Sequence, residues 1–108
     1  MSNSIDQIAA WAGALEAGQV PQEAFALAKK AFLDTLAVSL SGSQLDSARI
    51  VSSLASDLGQ NGGPCSVIGR GFRADVLAAA LANGTAAHAE LYDDNNEPMM
   101  SHPSASLV

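Results

Sequence analysis

The chain has 108 residues, of which 48% are apolar but only 5% aromatic, and its eleven acidic and five basic residues give a formal net charge of −6. This length allows one small domain at most, and so few Lys and Arg residues argue against binding to nucleic acid. No apolar run approaches the roughly 20 residues that span a bilayer, the polar start is not a secretory signal, and the single cysteine fits a reducing compartment. We therefore expect a cytoplasmic protein without membrane contact.

The first predicted helix begins near the N-terminus of the chain. Ser4 followed by Gln7 is a capping-box signature, and Gly18 is a natural end for the helix. Between them, apolar residues recur at helical spacing along one stripe. These residues are Ile5, Ile8, Ala12 and Leu15.

A second helix is predicted from Pro21 to about Leu40, which makes it about 30 Å long at about 1.5 Å per residue. Further apolar residues widen its surface beyond one stripe, so burial on more than one side is expected. The stripe itself consists of Phe25, Ala28, Phe32, Leu36 and Leu40.

The third predicted helix begins at Asp46 or Ser47 and stops at Gly59. A short extended segment is predicted to follow at residues 65–68. The predicted buried face of the helix consists of Ile50, Val51, Leu54, Ala55 and Leu58.

Two arginines, Arg70 and Arg73, follow the extended segment in a glycine-containing stretch. They either pair with carboxylates of this chain or of a partner, which we favour, or contact an anionic substrate. The stretch lacks the lysine and the spacing of a P-loop, so nucleotide binding is not predicted.

The last part of the chain holds the materials for proton-transfer chemistry. A fourth helix is predicted from Asp75 to about Tyr92, and poor helix formers at 83–85 predict close approach of another backbone. Both histidines and four acidic residues lie in the last part of this helix or in the loop that follows it. Pro98 prevents the helix from continuing through that loop. His102-Pro103-Ser104 is typical of the start of another helix.

Several motifs in one order resemble the N-terminal part of the MmgE/PrpD family, which includes 2-methylcitrate dehydratase, cis-aconitate decarboxylase and iminodisuccinate epimerase. The resemblance extends from roughly residue 24 to the last residue. Agreement of several ordered motifs is far more specific than agreement of any one. The motifs are Val67-Ile68-Gly69-Arg70-Gly71, Asn83-Gly84-Thr85-Ala86-Ala87-His88, Tyr92-Asp93-Asp94 and His102-Pro103-Ser104-Ala105.

The resemblance implies an all-α fold, in which residues 1–108 form part of the family's N-terminal helical domain, and no cofactor. The histidine of the His-Pro-Ser motif belongs to the family's active site, so His102 is expected to be an acid or base. One of Asp93 and Asp94 would orient its imidazole or act on the substrate proton. The expected substrate contacts are Asn95, Ser101 and Ser104.

Departures from the family pattern and the histidine spacing bear on the chemistry. The acid that usually precedes the aromatic residue is replaced by Leu91, and Asn95 stands where a threonine is common. His88, on an alanine-rich helix, is expected to be a packed, hydrogen-bonded structural residue. His88 on the helix and His102 in the later loop are not spaced along the sequence as metal-ligand motifs usually are, so no metal is expected.

Two functions remain open from the sequence. The resemblance implies an enzyme that abstracts a proton from a small di- or tricarboxylic acid, as a dehydratase, decarboxylase or epimerase, and that forms a homo-oligomer. Because the family's members are several times longer, we expect the isolated chain to need a partner or the rest of a longer protein for activity. The alternative is a non-catalytic helical module that assembles with another polypeptide and exposes an apolar face for it.

Overall fold

A computed structural model describes residues 3–58 and 62–106 of the chain, and this part is mostly helical. The all-α class expected from the sequence is therefore confirmed. The helices are α1 (Ser4–Ala14), α2 (Gln22–Gly42), α3 (Asp46–Leu58) and α4 (Val76–His88). A two-stranded hairpin, β1 (Cys65–Ser66) and β2 (Arg73–Ala74), precedes α4. Three short 3-10 turns occupy Ala17–Gln19, Glu97–Met99 and Ser104–Ser106.

Helix α1 is capped one residue earlier than predicted. Asn3, rather than Ser4, accepts a hydrogen bond from the Ile5 amide at 2.6 Å, and the carboxylate of Asp6 accepts one from the Asn3 amide. The predicted box of Ser4 and Gln7 is therefore wrong, because asparagine is as good an N-cap as serine and takes the position first. No residue of α1 is buried, and the helix ends at Ala14.

Helix α2 begins directly after Pro21 as predicted, but it buries a different face. Its buried residues are Thr35, Ser39 and Gly42, and the two hydroxyls donate to backbone carbonyls one turn earlier in the same helix. The predicted burial of the apolar stripe is wrong. Phe25, Phe32 and Leu40 are 47%, 57% and 56% exposed, Ala28 is exposed, and only Leu36 is partly buried.

Close approach between α2 and α4 explains why small residues face each other. A Cβ added to Gly42 would collide with the Ala86 carbonyl group, so the two backbones touch at this point. The sequence predicted such an approach at residues 83–85, but the contact with Gly42 lies at Ala86, and a Cβ on Gly84 would meet the Ala105 carbonyl oxygen only at 3.8 Å. The buried residues of α4 are Ala78, Ala79, Ala82, Asn83, Ala86 and Ala87.

The core lies between α3, α4 and the hairpin, and it consists almost entirely of methyl groups. Val51, Cys65 and Phe72 pack against it from its edge. The core cluster is Ala55, Val67, Ala74, Ala78, Ala79 and Ala82. Since alanine buries little area, close packing rather than large side chains holds these elements together.

Helix α3 starts at Asp46 as predicted, and its predicted end, Gly59, lies outside the described residues. Its buried residues are Ala48, Ser52 and Ala55. The predicted buried face is therefore wrong for its larger members, because the small residues are turned toward the core. Ile50, Leu54 and Leu58 are 71%, 48% and 66% exposed.

The hairpin confirms the predicted extended segment for residues 65–66, whereas residue 68 lies in a turn. The Asn83 side chain links this region to α4. The Asn83 side chain accepts a hydrogen bond from the Ile68 amide at 2.9 Å and donates one to the Ser66 carbonyl at 3.1 Å. Among the described residues, no helix is both long and apolar enough to cross a bilayer.

Both arginines stabilise the hairpin and its surroundings through carbonyl groups. Arg70 donates to the Ser43 carbonyl, and Arg73 donates to the carbonyls of Gly63 and Pro64. In the described residues neither arginine forms an ion pair with a carboxylate, so the expectation is wrong for acids of this chain. Pairing with acids of a partner stays a prediction. The guanidinium groups satisfy backbone acceptors in loops that have few regular hydrogen bonds of their own.

Candidate functional site

Helix α4 ends earlier than the predicted end near Tyr92, and the chain turns sharply after it. α4 ends at His88, and Leu91 adopts a positive φ of 56°. This left-handed conformation is uncommon for a residue with a branched side chain. Two residues later comes Asp93, which is only 6% exposed although its neighbours Tyr92 and Asp94 are exposed.

Asp93 lies between the two histidines of the chain. His88 Nδ1 is 3.2 and 3.1 Å from the two carboxylate oxygens of Asp93, and His102 Nδ1 is 3.3 Å from Oδ2. The two imidazole rings meet edge to face, with centroids 4.5 Å apart and planes at 68°. We call His88, Asp93 and His102 the His–Asp–His cluster.

The cluster is buried on its carboxylate side and open on its imidazole side. The Asp93 side chain is fully enclosed, whereas the side chains of His88 and His102 are 47% and 34% exposed. In the described residues Asp93 forms no ion pair with Lys or Arg, so the two imidazoles are its neighbours of potentially positive charge. A buried carboxylate needs such a partner, because removing an uncompensated charge from water is costly.

The two histidines are held differently by the shared carboxylate. His88 Nδ1 is hydrogen-bonded to Asp93. His102 Nδ1 is inaccessible to solvent and is close enough for an ion pair, but it is not aligned for a hydrogen bond and has no other partner in the described structure. We therefore treat the contact of His102 with Asp93 as a close approach and not as a formed hydrogen bond.

Asp94, the second aspartate of the predicted pair, faces another group. Its carboxylate accepts hydrogen bonds from the Ser104 amide at 3.0 Å and from the Ser104 hydroxyl at 2.8 Å. It therefore caps the 3-10 turn Ser104–Ser106, which confirms that helical structure begins after His102. The Asp94 carboxylate and the Ser104 hydroxyl are hydrogen-bonded to each other. The predicted roles of Asp94 in catalysis and of Ser104 in substrate binding stay predictions.

The remaining predicted contacts lie on the loop that leads to His102. Asn95 and His102 line one open cavity of about 420 Å³ together with Glu97 and Met100. Ser101 pairs through its backbone with Asn96, at 2.9 and 3.4 Å. The structure thus brings Asn95 to His102, while Ser101 closes the loop that carries His102. Their predicted roles in substrate binding stay predictions.

His88 is the member of the cluster that the sequence interpretation left out of the site. It was expected to be hydrogen-bonded, which it is, but its partner is the buried carboxylate that also contacts His102. A signal was available in the sequence, since both histidines of the chain and Asp93 lie in one acidic stretch.

Comparison with known proteins gives one result that bears on identity. A family model for the MmgE/PrpD N-terminal domain matches residues 6–108. No curated protein and no solved structure matches the chain. The family match covers all but a few residues and includes the entire His–Asp–His cluster. The chain therefore belongs to the MmgE/PrpD family, of which it represents the N-terminal domain.

Proposed function

We propose that this domain supplies the acid–base groups of an enzyme that abstracts a proton next to a carboxylate of a small di- or tricarboxylic acid. The observation that carries the proposal is the enclosed Asp93 carboxylate in contact with Nδ1 of both His88 and His102. Membership of the MmgE/PrpD family supports the substrate class. The reaction is a dehydration, a decarboxylation or an epimerisation.

In this proposal Asp93 positions the imidazoles and His102 moves the proton. A carboxylate beside Nδ1 favours the tautomer that carries the proton on Nδ1 and leaves the Nε2 lone pair free. His102 then accepts the substrate proton at Nε2, and the negative charge of Asp93 stabilises the imidazolium that forms. Ligand binding would align the His102 contact, since hydrogen bonds at such sites are often poorly aligned without substrate.

His88 is placed to complement this step. It shares the Asp93 carboxylate, and its ring lies 4.5 Å from that of His102. Once the substrate proton has been removed, an acid must protonate the leaving hydroxyl group or return a proton to carbon. We assign His88 as a candidate for this acid, since its exposed ring borders the same open side of the cluster.

Substrate carboxylates need cationic or hydrogen-bonding partners, and this chain provides few. Arg70 and Arg73 donate to backbone carbonyls, and the Ser104 hydroxyl donates to Asp94. Asn95, beside His102 in the open cavity, is the best-placed of the predicted contacts. We propose that basic groups from further polypeptide complete the binding site.

The test is exchange of substrate protons with D₂O, followed by NMR on cis-aconitate and 2-methylcitrate. For the chain, together with any polypeptide that it requires, His102→Ala should lower exchange by about 10²- to 10⁴-fold. Asp57→Asn, which removes one exposed charge from α3, is the control that should leave exchange unchanged. Equal exchange rates in the wild type and His102→Ala would contradict the proposal.

A second candidate function, a helical module that assembles with another polypeptide, is favoured by the apolar surface of α1 and α2. Several large apolar side chains on these helices are more than half exposed, which is unusual for a surface that stays in water. They include Ile5 at 72%, Ile8 and Trp11 at 64%, Phe32 at 57% and Leu33 at 69%. Light scattering on the purified chain distinguishes the two: association without proton exchange would support the module.

A further inference from the structure

We propose that a groove between α3 and the hairpin binds a phosphate-type dianion, such as the phosphoryl group of a small molecule. The groove is an open cavity of about 320 Å³, and we call it the arginine–serine groove. Its residues share no member with the His–Asp–His cluster, so this inference does not rest on the proposed reaction. The lining residues are Arg49, Ser52, Ser53, Ser56, Arg70 and Phe72.

The arginine–serine groove concentrates positive charge in an acidic protein. Arg49 and Arg70 are two of the five basic residues of the chain, which has eleven acidic residues. In the part of the chain that the structure describes, the ion pairs are those of the two histidines with Asp93, so neither arginine is neutralised by a carboxylate. Two guanidinium groups on one groove repel each other, and a bound dianion would offset this repulsion.

The two arginines are held differently, and both keep donors for a ligand. Arg70 is partly buried, and its Nη2 donates to the Ser43 carbonyl directly after α2. A guanidinium group has five N–H donors in a rigid fork, so this bond leaves most of them available. Arg49 is exposed on α3, and its side chain has no hydrogen bond or ion pair within the described residues. A fixed Arg70 reduces the entropy lost on binding, and Arg49 is free to close on the ligand.

The hydroxyl groups of the three serines in the groove are also available. Buried or helical hydroxyls elsewhere in the chain, such as those of Thr35 and Thr85, donate to carbonyls one turn earlier. Within residues 3–58 and 62–106, the three serine hydroxyls form neither this bond nor another. Ser52 is only 4% exposed, and a polar side chain buried to this degree usually has a partner. A ligand in the groove would supply that partner.

The number of donors favours phosphate over a carboxylate. Two guanidinium groups and three hydroxyls offer more donors than the roughly four lone-pair sites of one carboxylate accept. A phosphoryl group presents three strong acceptor oxygens and pairs bidentately with arginine. The volume of about 320 Å³ suits a small ligand. The groove is therefore assigned to a small anion, and an acidic segment of a partner protein is the alternative that the experiment separates.

The experiment is titration of the isotope-labelled chain with inorganic phosphate at constant ionic strength, followed by amide NMR. We expect saturable shifts at millimolar phosphate, centred on Arg49, Ser52 and Arg70. Arg49→Gln should weaken binding by about tenfold or more, because it removes a charge-assisted contact. Lys30→Gln removes the same charge from an exposed position of α2 outside the groove, and it should change the affinity by less than about twofold. Absence of saturation, or equal weakening by both variants, would overturn the site.

Two further ligands decide between the possible anions. At about pH 8 succinate carries the same double charge as phosphate, so equally tight binding of succinate would overturn the phosphate assignment. A short peptide of glutamates that saturates the same shifts at a lower concentration than phosphate would overturn it too, and would assign the groove to a partner protein.

Ser52→Ala tests the buried hydroxyl without a change of charge. Alanine preserves the helix, so circular dichroism should be unchanged. We expect phosphate binding to weaken by about threefold or more, as for loss of one hydrogen bond. Phosphate affinity equal to that of the wild type would contradict the assignment of this hydroxyl as a donor to the ligand.

Discussion

Asn83 is the single residue on which the attachment of the hairpin to α4 depends most. Its amide bonds both the Ile68 amide and the Ser66 carbonyl while being only 7% exposed. Asn83→Ala would leave both backbone groups unpaired in a place with little access to water, and we expect a loss of about 1–3 kcal/mol in the free energy of unfolding. Urea denaturation followed by circular dichroism measures this loss.

Thr85→Ala is the matched control for that prediction. The Thr85 hydroxyl donates to the Leu81 carbonyl within the same helix, so no other element depends on it. We expect a change below about 0.5 kcal/mol. If Asn83→Ala and Thr85→Ala had equal effects, the hydrogen bonds of Asn83 to the hairpin would contribute nothing particular to stability.

The neighbouring aspartates show what sequence could and could not predict at this scale. The motif indicated that Asp93, Asp94 and His102 belong together, and in the structure Asp93 Oδ2 lies 3.3 Å from His102 Nδ1. It could not rank the two acids, because their directions follow from the left-handed turn at Leu91. That backbone conformation is set by the surrounding fold and carries no glycine or asparagine signal in the sequence.

At the scale of elements, the crossing of α2 over α4 makes a sharp prediction. Gly42→Ala would place a methyl group on the Ala86 carbonyl, which belongs to rigid helix backbone, so the helices must separate. Overpacking of this kind costs about 1–3 kcal/mol, and thermal or urea denaturation detects it.

Gly13→Ala in α1 is the control for the crossing, since nothing lies within 4 Å of a Cβ placed there. Alanine restricts the unfolded chain without a clash, and a gain of about 0.4–1 kcal/mol is expected wherever α1 folds cooperatively with the rest. A destabilisation by Gly13→Ala as large as that by Gly42→Ala would show that the effect is not due to the crossing.

Helix positions were predictable from the sequence, but helix faces were not. Pro21, Asp46 and Asp75 sit at or next to the starts of α2, α3 and α4, because capping chemistry is local. Apolar stripes indicate where a helix can be buried, not whether a partner is present. In α2 the buried residues are Thr35, Ser39 and Gly42 instead, and Gly42 allows the backbones of α2 and α4 to touch.

The whole molecule is more extended than its length requires. Its radius of gyration is 16.0 Å, compared with about 13 Å expected for a compact domain of this size. The excess agrees with the exposed α1 and with the exposed first half of α2. The large apolar side chains of these two segments therefore face solvent and do not contribute to the core.

This exposed surface predicts dye binding and association. The wild-type chain should increase the fluorescence of an apolar dye such as ANS in its folded state, and Phe32→Glu should lower that signal, because the Phe32 ring is 57% exposed beside Phe25 on an apolar cavity. Gln22→Glu, which adds the same charge at an exposed position of α2, should not. Equal signals from the wild type and Phe32→Glu would contradict the prediction.

The methyl-group core has a consequence for mutational scans of this domain. Five of the six residues in the core cluster are already alanine, so truncation of side chains cannot reveal them. A conventional alanine scan would therefore detect almost none of the hydrophobic core. Substitution by larger residues, such as valine or leucine, would identify the same positions, because this closely packed core has no space for additional methyl groups.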